Sequence, residues 1–200
     1  MIDRRDLLIG LAAGLAFPQA ALAAPRSAAA LVAAARGQVG VTVEYDPVYS
    51  VLSFPNGDVP RRRGVCTDVV VRAYRDAFGV DLQSLLNADM RAGFGAYPKA
   101  WGLRRPDRNI DHRRVPNLRT FLARRGAGLP LPVDARQWRA GDLWTGLVGG
   151  RLPHIGIVSD RRSPGGRPLL IHNIGRGTRE EDALFAHPAT GRYRFGLPPA

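Results

Sequence analysis

The chain holds one cysteine, Cys66, and four histidines, at positions 112, 154, 172 and 187. Cys66 opens a run to Phe78 in which Val69, Val70, Ala73, Tyr74 and Ala77 recur at helical spacing, and Gly79 supplies a stop. The spacing predicts a helix with the thiol at its start. A thiol attacks well only as thiolate, and the partial positive charge and free N–H groups of a helix N-terminus lower its pKa from about 8.5. An imidazole within reach completes such a site, because it can take the thiol proton and later return it to a leaving amine. The bland alternative is a buried apolar filler, since free cysteine is commonly buried. Zinc binding finds little support in one cysteine and four dispersed histidines.

The elements around these residues read as helices first and strands second. Ser27 can cap a helix running to about Arg36, where Gly37 and Gly40 stop it. Residues 41–60 are broken by Pro47, Pro55, Asn56-Gly57 and Pro60 into extended pieces and turns. Further helices are expected over Leu82 to Arg91 and from Pro116 to Arg125. After Pro132, Asp142 to Val148, His154 to Ser159, Arg167 to Asn173 and Gly191 to Phe195 form strand-like runs separated by glycine-containing turns. The expected fold class is α+β, with the Cys66 helix covering one face of a C-terminal antiparallel sheet.

The first residues read as a leader. Arg4 and Arg5 precede an apolar run from Leu7 to Phe17 that ends near the small-residue site Ala21-Leu22-Ala23. Paired arginines before a mildly apolar stretch resemble a twin-arginine signal, with Asp3 and Ile9 departing from the usual flanks. The reading is a signal peptide over 1–23, a single domain over 24–200, and a periplasmic or extracellular location. The run is too short for a spanning helix, which needs roughly 20 apolar residues. The formal charge of +12 favours anionic partners. Lys99 is the only lysine among 29 basic residues, however, which points to codon bias more than to selection for one ligand, and no aromatic-basic motif accompanies the charge. Nucleic acid is therefore not expected as the partner. A single cysteine in an exported chain can form no internal disulfide.

Gly64-Val-Cys66-Thr-Asp-Val-Val-Val, followed by Gly79-Val80-Asp81-Leu82, is similar to the nucleophile helix of NlpC-type cell-wall hydrolases. Gly141-Asp142-Leu143-Trp144, His154-Ile-Gly-Ile-Val158 and Leu170-Ile171-His172 look like the first three core strands of that family, in order. Gly64-Val-Cys66-Thr-Asp together with Asn109-Ile-Asp-His-Arg-Arg-Val-Pro-Asn117 more closely resembles an exported bacterial family of unknown function in the same papain-like clan. The resemblance implies Cys66 as nucleophile, His154 as general base and acid, and His172 as the residue that orients His154. Asn173 is the rival for the third role. Adjacent strand residues face opposite ways, so only one of the two can point at His154.

The oxyanion would be held by the Cys66 amide and one further donor, which the resemblance implies is a tyrosine upstream of Cys66; Tyr49 is the expected one, with Tyr45 competing. Two departures stand out: Asp68 occupies a place where the wall hydrolases usually carry Gly, and the segment between Cys66 and His154 is longer than in minimal members. Within that insertion Asp111, His112, Arg113 and Arg114 form a candidate substrate-binding group, Arg113 or Arg114 clamping a substrate carboxylate. A charged surface turn ahead of a helix is the alternative. The expected activity is a cofactor-free amidase or endopeptidase acting on peptidoglycan stem peptides through an acyl-enzyme. The alternatives are an acyltransferase of the same fold and a basic protein that binds wall polymer without catalysis.

Overall fold

The protein is described here from a computed structural model covering residues 26–198; the expected leader over 1–23 lies outside the described residues. Four helices form where the local signals place them. α1 spans Ala28–Arg36, with Ser27 Oγ accepting the Ala30 N–H. α2 spans Cys66–Phe78, and Asp68 reaches back to accept the Val65 N–H at 2.7 Å. α3 spans Leu82–Gly93 behind an Asp81 cap, and α4 spans Val115–Arg124 with Pro116 in its first turn. Gly79, just past α2, sits at φ +64°, a left-handed position that a side chain would strain.

The strands are β1 (Glu44–Tyr45), β2 (Arg63–Gly64), β3 (Gly128–Leu129), β4 (Leu143–Val148), β5 (Leu152–Arg162), β6 (Pro168–Asn173), β7 (Thr178–Glu181) and β8 (Ala189–Tyr193). β1 and β2 form a short parallel pair. The other six make one antiparallel sheet in the order β3-β8-β4-β5-β6-β7. The described residues thus form a mixed α+β fold with four α-helices and an antiparallel sheet. β7 was not legible in the sequence because Thr178-Arg-Glu-Glu181 carries no apolar face; its pairing with β6 makes it a strand.

Two apolar layers sandwich this sheet. On one face Leu143, Ile155, Ile157, Ile171 and Tyr193 pack with Val69, Val70, Ala73 and Tyr74 of α2, Leu31 and Val32 of α1, and Phe121 of α4. On the other, Trp138, Trp144, Val158, Leu170, Ala183 and Leu184 form a smaller cluster with no residue from the four helices. Each fully buried aliphatic side chain contributes about 1.5–3 kcal/mol, so this packing, and not the caps at about 1 kcal/mol apiece, holds α2 on the sheet.

A buried arginine fastens the segment that precedes α2. Arg72 on α2 is 0% exposed; it pairs with Asp58 at 2.9 Å and donates to Thr42 Oγ1 and to the carbonyls of Val59 and Arg63. The irregular chain between residues 42 and 63 is thereby tied to the helix whose first residue is Cys66.

Candidate active site

Cys66 lies at the start of α2 on a cleft of about 250 Å³. The cleft takes residues from the chain before α2 (Tyr45, Pro47), from the insertion (Trp101, Ile110, Arg113, Arg114), from the start of α4 (Val115, Pro116) and from the start of β5 (Pro153). The insertion therefore does line the cleft. The backbone N–H groups of Ile155, Thr67 and Cys66 itself are turned toward the Cys66 sulfur.

The thiol does not follow the expectation of a lowered pKa. Burial raises it first and foremost, the Asp68 carboxylate adds in the same direction, and the three amides oppose without prevailing, so it is pushed up to about 12. In a site 4% exposed, desolvation of the thiolate outweighs the favourable end of one helix. Cys66 is a neutral thiol at neutral pH and reacts only as a base removes its proton.

The base candidate is held by a chain of three side chains. His154 Nε2 lies 2.8 Å from His172 Nδ1, and His172 Nε2 lies 3.1 Å from Glu181 Oε1. Glu181 can only accept while ionised, so His172 carries its proton on Nε2 and accepts at Nδ1. His154 then donates from Nε2, which leaves the lone pair on its Nδ1. Burial first, and then the neighbouring His172 and His187, lower the His154 pKa to about 3, so the ring is a neutral base at any ordinary pH. Glu181 was absent from the sequence reading, and its only signal was the glycine-rich turn at 175–177 that folds β7 back along β6.

Glycines make this chain of contacts possible. A Cβ at Gly156 would stand 2.9 Å from Leu170 Cγ and 3.0 Å from His172 Cβ. A Cβ at Gly146, paired with His154 across β4 and β5, would overlap the Trp144 ring. Trp144 meets the His154 ring edge-on with centroids 6.2 Å apart.

Strand pleat decides where each remaining residue faces. Ile155, Ile157 and Ile171 face α2, so His154, Gly156, Leu170 and His172 face the other way, with Trp144. Asn173 faces the α2 side and donates to the Gly64 carbonyl at 2.9 Å, which steadies the approach to Cys66 and not the ring of His154. The structure brings His154 and His172 together and places Cys66 on the peptide that joins His154 to Ile155. Among the described residues no hydrogen bond joins the His154 ring to the thiol; the two groups approach the end of β5 from its two faces.

Four other assignments change. Tyr49 is not at the cleft: its hydroxyl lies 3.1 Å from Asp107 and accepts from Asn109, while Tyr45 lines the cleft beside Cys66. Burial, with the charges of Cys66 and Asp68, pushes the Tyr45 phenol up to about 12, so it keeps its proton as a donor. Arg113 is no substrate clamp, because its guanidinium pairs with Asp68 at 3.0 Å and donates to the carbonyls of Asp46 and Val48. Asp111 is 1% exposed and accepts from the Asp107 amide, and His112 is 2% exposed, so both are interior residues of the insertion. Arg114 lines the cleft as Arg113 does but is not saturated by ion pairing; it lies over the Trp101 ring with 4.2 Å from the guanidinium carbon to the ring centroid. Among the described residues no group of three His, Cys, Asp or Glu could hold a metal ion.

Residues 32–195 match the model of a domain of unknown function, DUF1287. The chain belongs to the DUF1287 family. It is 49% identical over 166 residues to the uncharacterized protein YijF of Escherichia coli (strain K12), a match that covers 83% of this chain and 80% of that protein. The DUF1287 match takes in Cys66, His154, His172, Glu181 and the whole insertion.

The buried histidines carry a consequence for stability. Burial lowers His112 to about 4 and His154 to about 3, and it lowers His172 as well, against the pull of Glu181. Unfolded histidine titrates near 6.5, so above that pH the folded and unfolded chains bind equal numbers of these protons. Below it the unfolded chain gains protons that the native state refuses, and stability falls with pH. From pH 6.5 to 4.5 His112 and His154 each remove about 2–3 kcal/mol, at about 1.4 kcal/mol per pH unit. Urea midpoints should drop steeply across this window, and His112→Gln should reduce the slope by about one proton. A midpoint unchanged between pH 7 and 4.5 would refute neutral burial of these rings.

Proposed function

We propose that this DUF1287 protein is an exported papain-like cysteine hydrolase of the NlpC type that cleaves an amide in peptidoglycan stem peptides. The reading rests on one arrangement: a lone thiol at a helix start on a cleft, held by the amide that follows His154, whose neutral ring is backed by His172 and Glu181.

In the proposed reaction the Cys66 sulfur attacks the amide carbon as His154 Nδ1 takes the thiol proton. This concerted transfer suits a neutral thiol and a neutral imidazole. Charge appearing on the imidazole is balanced through His172 by the Glu181 carboxylate. The developing oxyanion is held by the Cys66 N–H and the Tyr45 hydroxyl. His154 then gives the proton to the leaving amine, and water cleaves the thioester.

In the free protein the ring and the thiol lie on opposite faces of β5, so the proposed proton transfer requires substrate binding to bring them together. The β5–β6 ladder runs only as far as Ile157 and Ile171, which leaves residues 154 and 155 unpaired on the β6 side. Export follows from the reading of residues 1–23 as a signal peptide, and the basic surface suits an anionic wall.

The test is digestion of purified sacculi by residues 24–200 and by the Cys66→Ala variant, with products identified by mass spectrometry. New muropeptide termini are expected from the first alone, and a product carrying an added amine in place of water would mark an acyltransferase. Salt-sensitive binding to sacculi with no cleavage, unchanged in Cys66→Ala, would replace the enzyme by a wall-binding protein.

A further inference from the structure

The cleft beside Cys66 is small and its polar equipment is one-sided. Its volume of about 250 Å³ suits one compact amino-acid residue, and its lining is apolar apart from Tyr45, Cys66, Arg113 and Arg114. Arg113 is saturated by Asp68 and two carbonyls. Arg114 is not. Among the described residues its only carboxylate contact is Asp111 at 3.3 Å through a single nitrogen, while Asp111 also serves the Asp107 amide and the Asn117 side chain.

Stacking on Trp101 holds the Arg114 guanidinium in one plane without using its N–H donors. A planar fork, fixed and only partly paired, is the geometry that accepts a carboxylate through two parallel hydrogen bonds. Arg114 also immediately precedes α4, whose first residues, Val115 and Pro116, line the same cleft, so the positive end of α4 faces it as does that of α2. Asp68, the other nearby acid, is neutralised by Arg113.

We propose that Arg114, presented by Trp101, is the specificity-determining residue of this cleft and selects substrates with a free carboxylate on the residue seated beside Cys66. This rests on the cleft being a substrate site, as the hydrolase reading requires. The substrate class is an acidic peptide whose carboxylate lies next to the amide to be cleaved. The corresponding carboxamide, with no charge to meet the guanidinium, is rejected.

The experiment uses two synthetic stem tripeptides, one with free carboxylates and one with every carboxylate converted to carboxamide. Protection of Cys66 from iodoacetamide at alkaline pH is read by intact mass, and cleavage is read in parallel. The acidic peptide is expected to protect wild type at concentrations at least about tenfold lower than the carboxamide does. Arg114→Met should abolish that difference, and Arg114→Lys, which keeps the charge and loses the fork, should retain part of it. Equal protection by the two peptides, no protection by either, or a difference that survives in Arg114→Met would overturn the assignment. Selective protection without cleavage would sink the hydrolase and leave carboxylate recognition standing; cleavage of both peptides alike would do the reverse.

Discussion

His154→Ala is expected to reduce muropeptide release by about 10²- to 10⁴-fold, the range that general acid–base groups supply. The argument is electrostatic. With its pKa pushed up to about 12, the Cys66 thiol is almost wholly protonated at pH 7, so any attack on an amide must be assisted by proton removal in the same step. His154 is the proposed base, and its lone pair sits on Nδ1, because His172 and Glu181 fix the tautomer. His172→Ala removes the acceptor for Nε2 and should cost less, about 10- to 100-fold, since the base remains but its tautomer is no longer set.

The same picture predicts the pH behaviour of the thiol. Iodoacetamide should label Cys66 slowly at neutral pH and progressively faster up to pH 10, with no plateau at acid pH of the kind a preformed thiolate–imidazolium pair gives. Cleavage that survives in His154→Ala but is lost in Cys66→Ala would show that another group serves as base. An acid-side plateau in alkylation would mean that the thiol is ionised and the concerted step unnecessary.

Asp68→Ala or Arg113→Ala should destabilise the fold by about 3–5 kcal/mol, a large share of the 5–15 kcal/mol that domains possess. The side chains are 4% and 1% exposed, so removing one leaves its partner's charge buried without compensation. The loss also has a particular geography. Asp68 accepts the Val65 N–H at the start of α2, and Arg113 donates to the Asp46 and Val48 carbonyls, so this pair clips the insertion and the β1 segment to the residue next to Cys66. Asp68→Ala should therefore lower the denaturation midpoint and also disorder the cleft, seen as faster alkylation of Cys66. The double variant Asp68→Ala/Arg113→Met should recover part of the stability, because no charge is then stranded. Single variants within about 1 kcal/mol of wild type would show that water reaches the pair and screens it.

Local chemistry by itself determined much of this protein. The start of α2 at Cys66 and its stop at Gly79, the cap of α1, the start of α4 at Pro116, and the strands around His154 and His172 follow from periodicity, capping residues, first-turn proline and turn glycines, all of which act within a few residues of chain. The alternation of strand faces by itself also makes His172 and Asn173 mutually exclusive partners for His154. Tertiary structure decided the rest, because those features depend on groups far apart in sequence. Glu181 reaches His172 only when β7 folds back on β6, and Tyr45, not Tyr49, borders Cys66 only because β1 pairs with β2. Arg113 lines the cleft but has no unpaired charge to offer a substrate, because Asp68, 45 residues earlier, neutralises it. The high pKa of Cys66 is of the same kind: a helix start favours the thiolate, but how deeply the sulfur is buried is set by everything that packs around it, and here desolvation is the larger effect.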